Sequence, residues 1–250
     1  MAQIKANEAL VKALQAWDID HLYGIPGDSV DAVVDSLRTV RDQFKFYHVR
    51  HEEVASLAAA SYTKMTGKIG VALSIGGPGI VHLLNGMYDA KMDNVPQLII
   101  AGQTNSTLLG IKFFQETNIS KMVDDVAVYR HQVQKGDNVF EITNEAIRTA
   151  YEKKGVSVII CPNDLLTQKI KDTTKRAVDT TKPKPASPKF KSIKKAAKLI
   201  DKAKKPVMLI GLGTQNAKDE LREFIEAAKI PVIHTCLLYT SPSPRDQRGS

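Results

Sequence analysis

The chain has 250 residues, of which 43% are hydrophobic and 25% charged, and its 35 Lys and Arg against 27 Asp and Glu give a formal net charge of +8. Such a length holds one large or two modest domains with a sizeable core, and the composition is that of an ordinary globular chain. No apolar run approaches the roughly 20 residues of a bilayer span, and the N-terminus lacks the basic-then-apolar design of a signal peptide, so a membrane role is set aside and the cytoplasm is the expected address.

Asn7 is expected to cap a first helix, on which Leu10, Val11, Leu14 and Trp17 make one apolar stripe in need of a sheet to cover. His21-Leu22-Tyr23 then reads as a short strand. It runs into Gly24-Ile25-Pro26-Gly27-Asp28-Ser29, a tight turn in which Asp28 or Ser29 is placed to cap the next helix. Val30, Val33, Val34 and Leu37 fall on one face of that helix.

Phe46 to Arg50 alternates as an extended segment does, and the alanine-rich run from Val54 to Lys64 is strongly helix-forming. Glu52 and Glu53 therefore stand where a strand gives way to a helix N-terminus. Acids there complement the helix dipole, and a chemical role is the alternative.

Ile69 to Ile75 is a buried type of strand followed directly by Gly76-Gly77-Pro78-Gly79, which permits either a plain tight connection or a close backbone approach to a ligand. The glycine spacing is not the dinucleotide fingerprint. A helix over about 80–88 carries His82 and Asn85, three residues apart. Pro96 to Gly102 is a further continuous apolar strand. The aperiodic stretch 104–117 after it contains Phe113-Phe114-Gln115-Glu116, a functional loop or a set of core anchors. A strand ending near Val133, a helix over 144–151 and a strand over 156–161 complete one doubly wound α/β domain.

Residues 173–188, rich in Thr, Lys and Pro, read as an extended linker. Between Lys171 and Lys205 stand thirteen Lys or Arg against three Asp or Glu, more than the whole charge excess. With Phe190 as its single aromatic residue and no recognition motif, this segment reads as a solvated linker and helix face rather than a nucleic-acid surface. Ile193, Ala196, Ala197 and Ile200 form a stripe, Pro206 to Ile210 a strand, Gly211-Leu212-Gly213-Thr214 a turn, 217–228 a helix and Ile230 to His234 a strand, the start of a second α/β domain. Cys161 and Cys236 are far apart and lack metal-ligand spacing, so neither a disulfide scaffold nor a metal ligand is expected. From Cys236 the pattern stops, and 236–250 resembles a translated sequencing adapter, to be excluded as a scar.

Five motifs fall in one order: Tyr23-Gly24-Ile25-Pro26-Gly27, Arg50-His51-Glu52, Gly77-Pro78-Gly79, Asp93-Asn94-Val95-Pro96 and Phe114-Gln115-Glu116. Together they closely resemble the thiamine-diphosphate-dependent pyruvate oxidase and acetolactate synthase family, over residues 1–235. The resemblance implies a thiamine-diphosphate pyrimidine-binding domain at 1–172, the linker at 173–188 and a truncated FAD-type central domain at 189–235. The Mg2+ and diphosphate ligands are expected in a C-terminal domain beyond this chain, which leaves the fragment inactive alone.

By the same resemblance Glu52 is the activating acid: its carboxyl donates a proton to the pyrimidine ring nitrogen, and the cofactor then deprotonates its own thiazolium carbon. Glu53 is assigned to dipole support. Pro26, Gly27, Pro78, Gly79, His82 and Asn85 are expected around the pyrimidine end, Phe114 and Gln115 beside the reacting carbon, and Gly211, Gly213 and Thr214 at the FAD site. His82 and Phe114-Gln115-Glu116 most resemble the oxidases of lactic-acid-type bacteria. Pyruvate, phosphate and oxygen are then the substrates, acetyl phosphate, carbon dioxide and hydrogen peroxide the products, and a dimer of dimers the full-length assembly, with no nucleic-acid or membrane partner. Acetolactate synthase is the nearest rival, followed by a quinone-linked pyruvate dehydrogenase and a non-catalytic binding module.

Overall fold

Strands that are apolar on both faces must be covered on both faces, and this requirement builds the first unit. The computed structural model describes residues 2–183, 187–214 and 217–235, so the adapter-like stretch 236–250 and Cys236 lie outside the described residues. The chain divides into two compact units, 1–184 and 185–250.

In order, the first unit contains β1 (Gln3–Lys5), α1 (Ala6–Ala16), β2 (His21–Gly24), α2 (Asp31–Thr39), β3 (Lys45–His48), α3 (Glu52–Thr66), β4 (Gly70–Ser74), α4 (Pro78–Met92) and β5 (Gln97–Gln103). It continues with α5 (Ile119–Met122), β6 (Ala127–Gln132), α6 (Val139–Lys153), β7 (Val156–Pro162), α7 (Asn163–Leu166) and β8 (Lys169–Lys171). Six strands form one parallel sheet in the order β3-β2-β4-β5-β7-β6. Strand alternation sends Leu98 and Ile100 to a core shared with Leu10, Leu14, Val33 and Phe140, and Ile99 and Ala101 to a second core with Ala59, Ile80 and Met87. The sheet is therefore doubly wound, as expected. Its strand order reverses between β2 and β4, the position where open α/β sheets leave a crevice at their carboxyl ends.

α3 and α4 pack closely because Gly86 carries no side chain: a Cβ there would lie 2.6 Å from Leu57 N and from Ser56 Cβ. This contact brings the first turns of the two helices together.

Several local expectations change. Asn7 sits inside α1 and Lys5 holds the N-cap position; Asn7 Oδ1 accepts from Glu8 N at 2.9 Å in the first turn, while its Nδ2 donates to Ala32 O across to α2 at 2.8 Å. Neither Asp28 nor Ser29 caps α2: both lie in a short 3-10 helix, Asp28–Val30, and Ser29 Oγ accepts from Gly76 N at 3.0 Å. α4 and α6 are longer than their sequence patterns suggest, and the antiparallel pair β1–β8 and the one-turn helices α5 and α7 have no counterpart in them. The linker stretch is not free through 173–183. Thr173 is buried and bonded to Asn138, Val178 packs on the core, and Lys182 Nζ donates to Gly67 O at 2.6 Å.

The second unit holds α8 (Phe190–Lys202), β9 (Met208–Ile210), α9 (Lys218–Ala228) and β10 (Val232–His234), with β9 and β10 parallel. Val207, Leu209 and Ile233 are exposed on it. Among the described residues no helix is long and apolar enough to cross a membrane.

Candidate functional site

α3 begins at the site because His51, in extended conformation, supplies its cap: Nδ1 accepts from Glu53 N at 3.3 Å. The next residue, Glu52, turns inward and is only 8% exposed. Glu53 turns outward, and its carboxylate takes the side-chain amide of Asn85. The two adjacent acids thus separate by one helical step into a buried and an exposed one.

Glu52 Oε2 lies 2.9 Å from His82 Nδ1, on the facing helix α4. Its other oxygen, Oε1, points to the start of α4, where a Cβ added to Gly79 would come within 3.4 Å of it. The His51 and His82 rings stack with centroids 4.4 Å apart and an interplanar angle of 30°. His51, Glu52 and His82 each offer a ligand atom, and these atoms all lie within 4.8 Å of one another. The chain was expected to contribute no metal ligand, yet this cluster has the donor set of a metal site. His82 stands 30 residues from Glu52, so no spacing rule exposes the cluster.

Pro78 opens α4 at a position where its missing N–H costs nothing, and Gly77 before it has φ +61°. A Cβ at Gly77 would stand 2.9 Å from Gln115 O, so the turn after β4 lies against the 104–117 loop. Gln115 itself has φ +60°, and Phe114 is 75% exposed, which removes the core-anchor reading for it. Glu116 clamps the loop: Oε1 accepts from Gly110 N at 2.6 Å and Oε2 from Phe113 N at 3.0 Å. These backbone bonds, Gly110's foremost, hold its carboxyl below the usual glutamate range. Phe114 and Gln115 border a cleft of about 300 Å³ with Asp28, Ser29, Gly76 and Asn163.

The expected site residues therefore divide. Glu52, His82 and Gly79 meet, with Pro78 adjacent, whereas Asn85 is engaged by Glu53 one step away. Phe114 and Gln115 stand in the neighbouring cleft, across Gly77. Gly27 lies against Ile75, but Pro26 lines a different groove, of about 290 Å³, with Phe44, Phe46 and His48. Gly211, Gly213 and Thr214 belong to the second unit, where Thr214 Oγ1 donates to Gly211 O at 2.9 Å in the turn after β9. Sequence reasoning missed two participants: His51, as cap and ring partner, and Ser29, which fixes Gly76.

Residues 4–122 match the profile of the thiamine pyrophosphate enzyme N-terminal TPP binding domain, and residues 193–240 that of the thiamine pyrophosphate enzyme central domain. The chain is 46% identical over 94% of its length to YdaP of Bacillus subtilis, whose name describes a thiamine pyrophosphate-containing protein. It is 38% identical to a pyruvate oxidase of Lactiplantibacillus plantarum, over 93% of the chain, and 33% identical to an acetolactate synthase of Mycobacterium leprae, over 94%. It spans 41%, 39% and 38% of these three relatives, respectively. With its buried glutamate in the first matched domain and its glycine turn in the second, the chain belongs to the thiamine pyrophosphate-dependent enzyme family through its N-terminal and central domains.

Proposed function

We propose that the full-length protein is a pyruvate oxidase, which decarboxylates pyruvate with thiamine diphosphate and passes two electrons through FAD to oxygen, leaving acetyl phosphate, carbon dioxide and hydrogen peroxide. The observation that carries the reading is Glu52: a shielded carboxyl at a helix start, with His82 on one oxygen and the other oxygen free toward Gly79.

These residues fit the pyrimidine end of the cofactor. His82 Nδ1 fixes Oε2, so Oε1 is the atom that holds a proton for a ring nitrogen arriving over Gly79, and burial keeps water from competing for it. Any side chain at Gly79 would collide with Ser74 Oγ and obstruct that approach. When bound, thiamine diphosphate supplies the nucleophilic carbon and the electron sink for loss of carbon dioxide. Phe114 and Gln115, held next to Gly77 by the Glu116 clamp, border the substrate carbon in this proposal. Gly211, Gly213 and Thr214 begin the FAD site, and Mg2+ is held by residues outside this chain. The reading includes a cytoplasmic dimer of dimers with no nucleic-acid or membrane partner.

The higher identity to the named pyruvate oxidase than to the named acetolactate synthase supports the oxidase over the carboligase. The test is the restored full-length protein with pyruvate, thiamine diphosphate, Mg2+ and FAD. Phosphate-dependent oxygen uptake with peroxide release is the expected result; acetolactate without peroxide establishes the rival, and thiamine diphosphate binding without turnover a non-catalytic module.

A further inference from the structure

We propose that His51, Glu52 and His82 form a binding site for a zinc-type divalent transition-metal ion, whose occupancy excludes thiamine diphosphate from Glu52. The donor set is two imidazoles and one carboxylate, with one ligand atom from each residue inside a 4.8 Å limit. Tetrahedral zinc with bonds of about 2.0–2.1 Å keeps its ligands roughly 3.3 Å apart. Glu52 Oε2 and His82 Nδ1 already stand 2.9 Å apart, so the remaining adjustment falls mainly on His51.

That adjustment is available. The side chains of His51 and His82 are 48% and 43% exposed, whereas that of Glu52 is only 11% exposed, so two solvent-accessible rings flank a buried carboxylate and leave an ion a route in from solvent. The rings are pre-stacked, which limits the rotamer entropy lost on closing. Behind them, the Glu53 carboxylate, held by Asn85, lies 3.8 Å from His51 Nδ1, beyond hydrogen-bond reach, and adds negative charge beside the ring.

Chemistry selects the ion. Nitrogen-rich sites favour zinc, cobalt or nickel, while magnesium and calcium require oxygen donors. Electrostatics limit the affinity: α3 and α4 both present their N-termini here, each equivalent to about half a positive charge, and together they offset the single charge of Glu52. The ion is therefore held more weakly than in a closed structural zinc site. It is a reversible competitor for the carboxylate, not a permanent part of the fold.

The metal site stands on its own geometry; its competition with the cofactor rests on the proposed role of Glu52. The 250-residue chain is titrated with Co2+, read by its visible d–d absorption, and then with Zn2+. A saturable spectrum displaced by Zn2+ and indifferent to Mg2+ is expected. His51→Gln and His82→Gln each weaken it by about tenfold or more, while His48→Gln, on the exposed end of β3, leaves it intact. No spectrum in the wild type, or equal spectra in all variants, overturns the site. In the restored full-length protein, thiamine diphosphate with Mg2+ should displace Co2+, and simultaneous binding of both overturns the exclusion. Pyruvate turnover without any Co2+ spectrum removes this inference alone; a spectrum without turnover removes the proposed function alone.

Discussion

His82 Nδ1 stands 2.9 Å from Glu52 Oε2 although 30 residues separate them. Two helices brought together at Gly86 create this pair, and it separates the buried Glu52, to which the proposed chemistry is assigned, from the exposed Glu53 beside it. In the restored full-length protein Glu52→Gln should lose about 100-fold to 10,000-fold in pyruvate turnover, the usual contribution of a positioned acid. The amide keeps the size of the side chain but cannot pass on a proton. Glu53→Gln, which alters exposed contacts to Asn85 and His51, should retain most activity. Steady-state rates of the two variants check the assignment, and equal rates for Glu52→Gln and wild type would refute it.

Gly86→Ala tests the helix contact itself. The added methyl would meet backbone and Cβ atoms of Ser56 and Leu57, which have no flexible end to move aside. Overpacking of this kind costs about 1–3 kcal/mol. A lowered urea midpoint is the expected outcome, and an unchanged one would mean that α3 and α4 separate more easily than their packing implies.

The Glu116 clamp should respond to acid. Its carboxyl is held below the ordinary range chiefly by the Gly110 amide, so the folded pKa is depressed. The stabilisation is complete above the unfolded glutamate value and is lost as pH falls through the folded one. Exchange protection of the Gly110 and Phe113 amides, corrected for intrinsic rates, should therefore drop in acid. In Glu116→Gln it should be low at neutral pH already, and a wild-type profile flat across the acid range would remove the clamp.

Cys161 should be inert. It lies fully buried on β7, and burial pushes its thiol up to about 12, leaving almost no thiolate at neutral pH. Alkylation of the native chain followed by peptide mass spectrometry should leave Cys161 unmodified until urea unfolds the domain. Rapid native labelling would show that the second half of the sheet opens.

The sheet was legible because β4, β5 and β7 are continuous apolar runs bounded by Gly or Pro, the pattern of strands buried on both faces. β1 and β8, three residues each, are too short to show a period, and α5 and α7 make a single turn. Asn7 has the chemistry of a cap and takes Glu8 N, but its amide also donates to Ala32 O, 25 residues away, a distance no local rule spans. For the candidate site, the strand-to-helix junction placed Glu52 and Glu53 at a helix start and the glycine turn placed Gly79 at another, while the choice of Glu52 over Glu53 came from the family resemblance. The pairing of His82 with Glu52 depends on how two helices cross, and the divergence of Pro26 from Gly27 depends on which way one turn folds; neither is written in residue spacing.

The segment 173–183 has a practical corollary for dissecting the protein. Lys182 lies over the Tyr151 ring at 5.1 Å and bonds Gly67 O at the end of α3, so this segment belongs mechanically to the first unit. A trimming protease would meet a segment already anchored through its side chains, and an expression boundary drawn after residue 172 would strip the packing of Val178 from the core and the cation from the tail of the helix that carries Glu52 at its head.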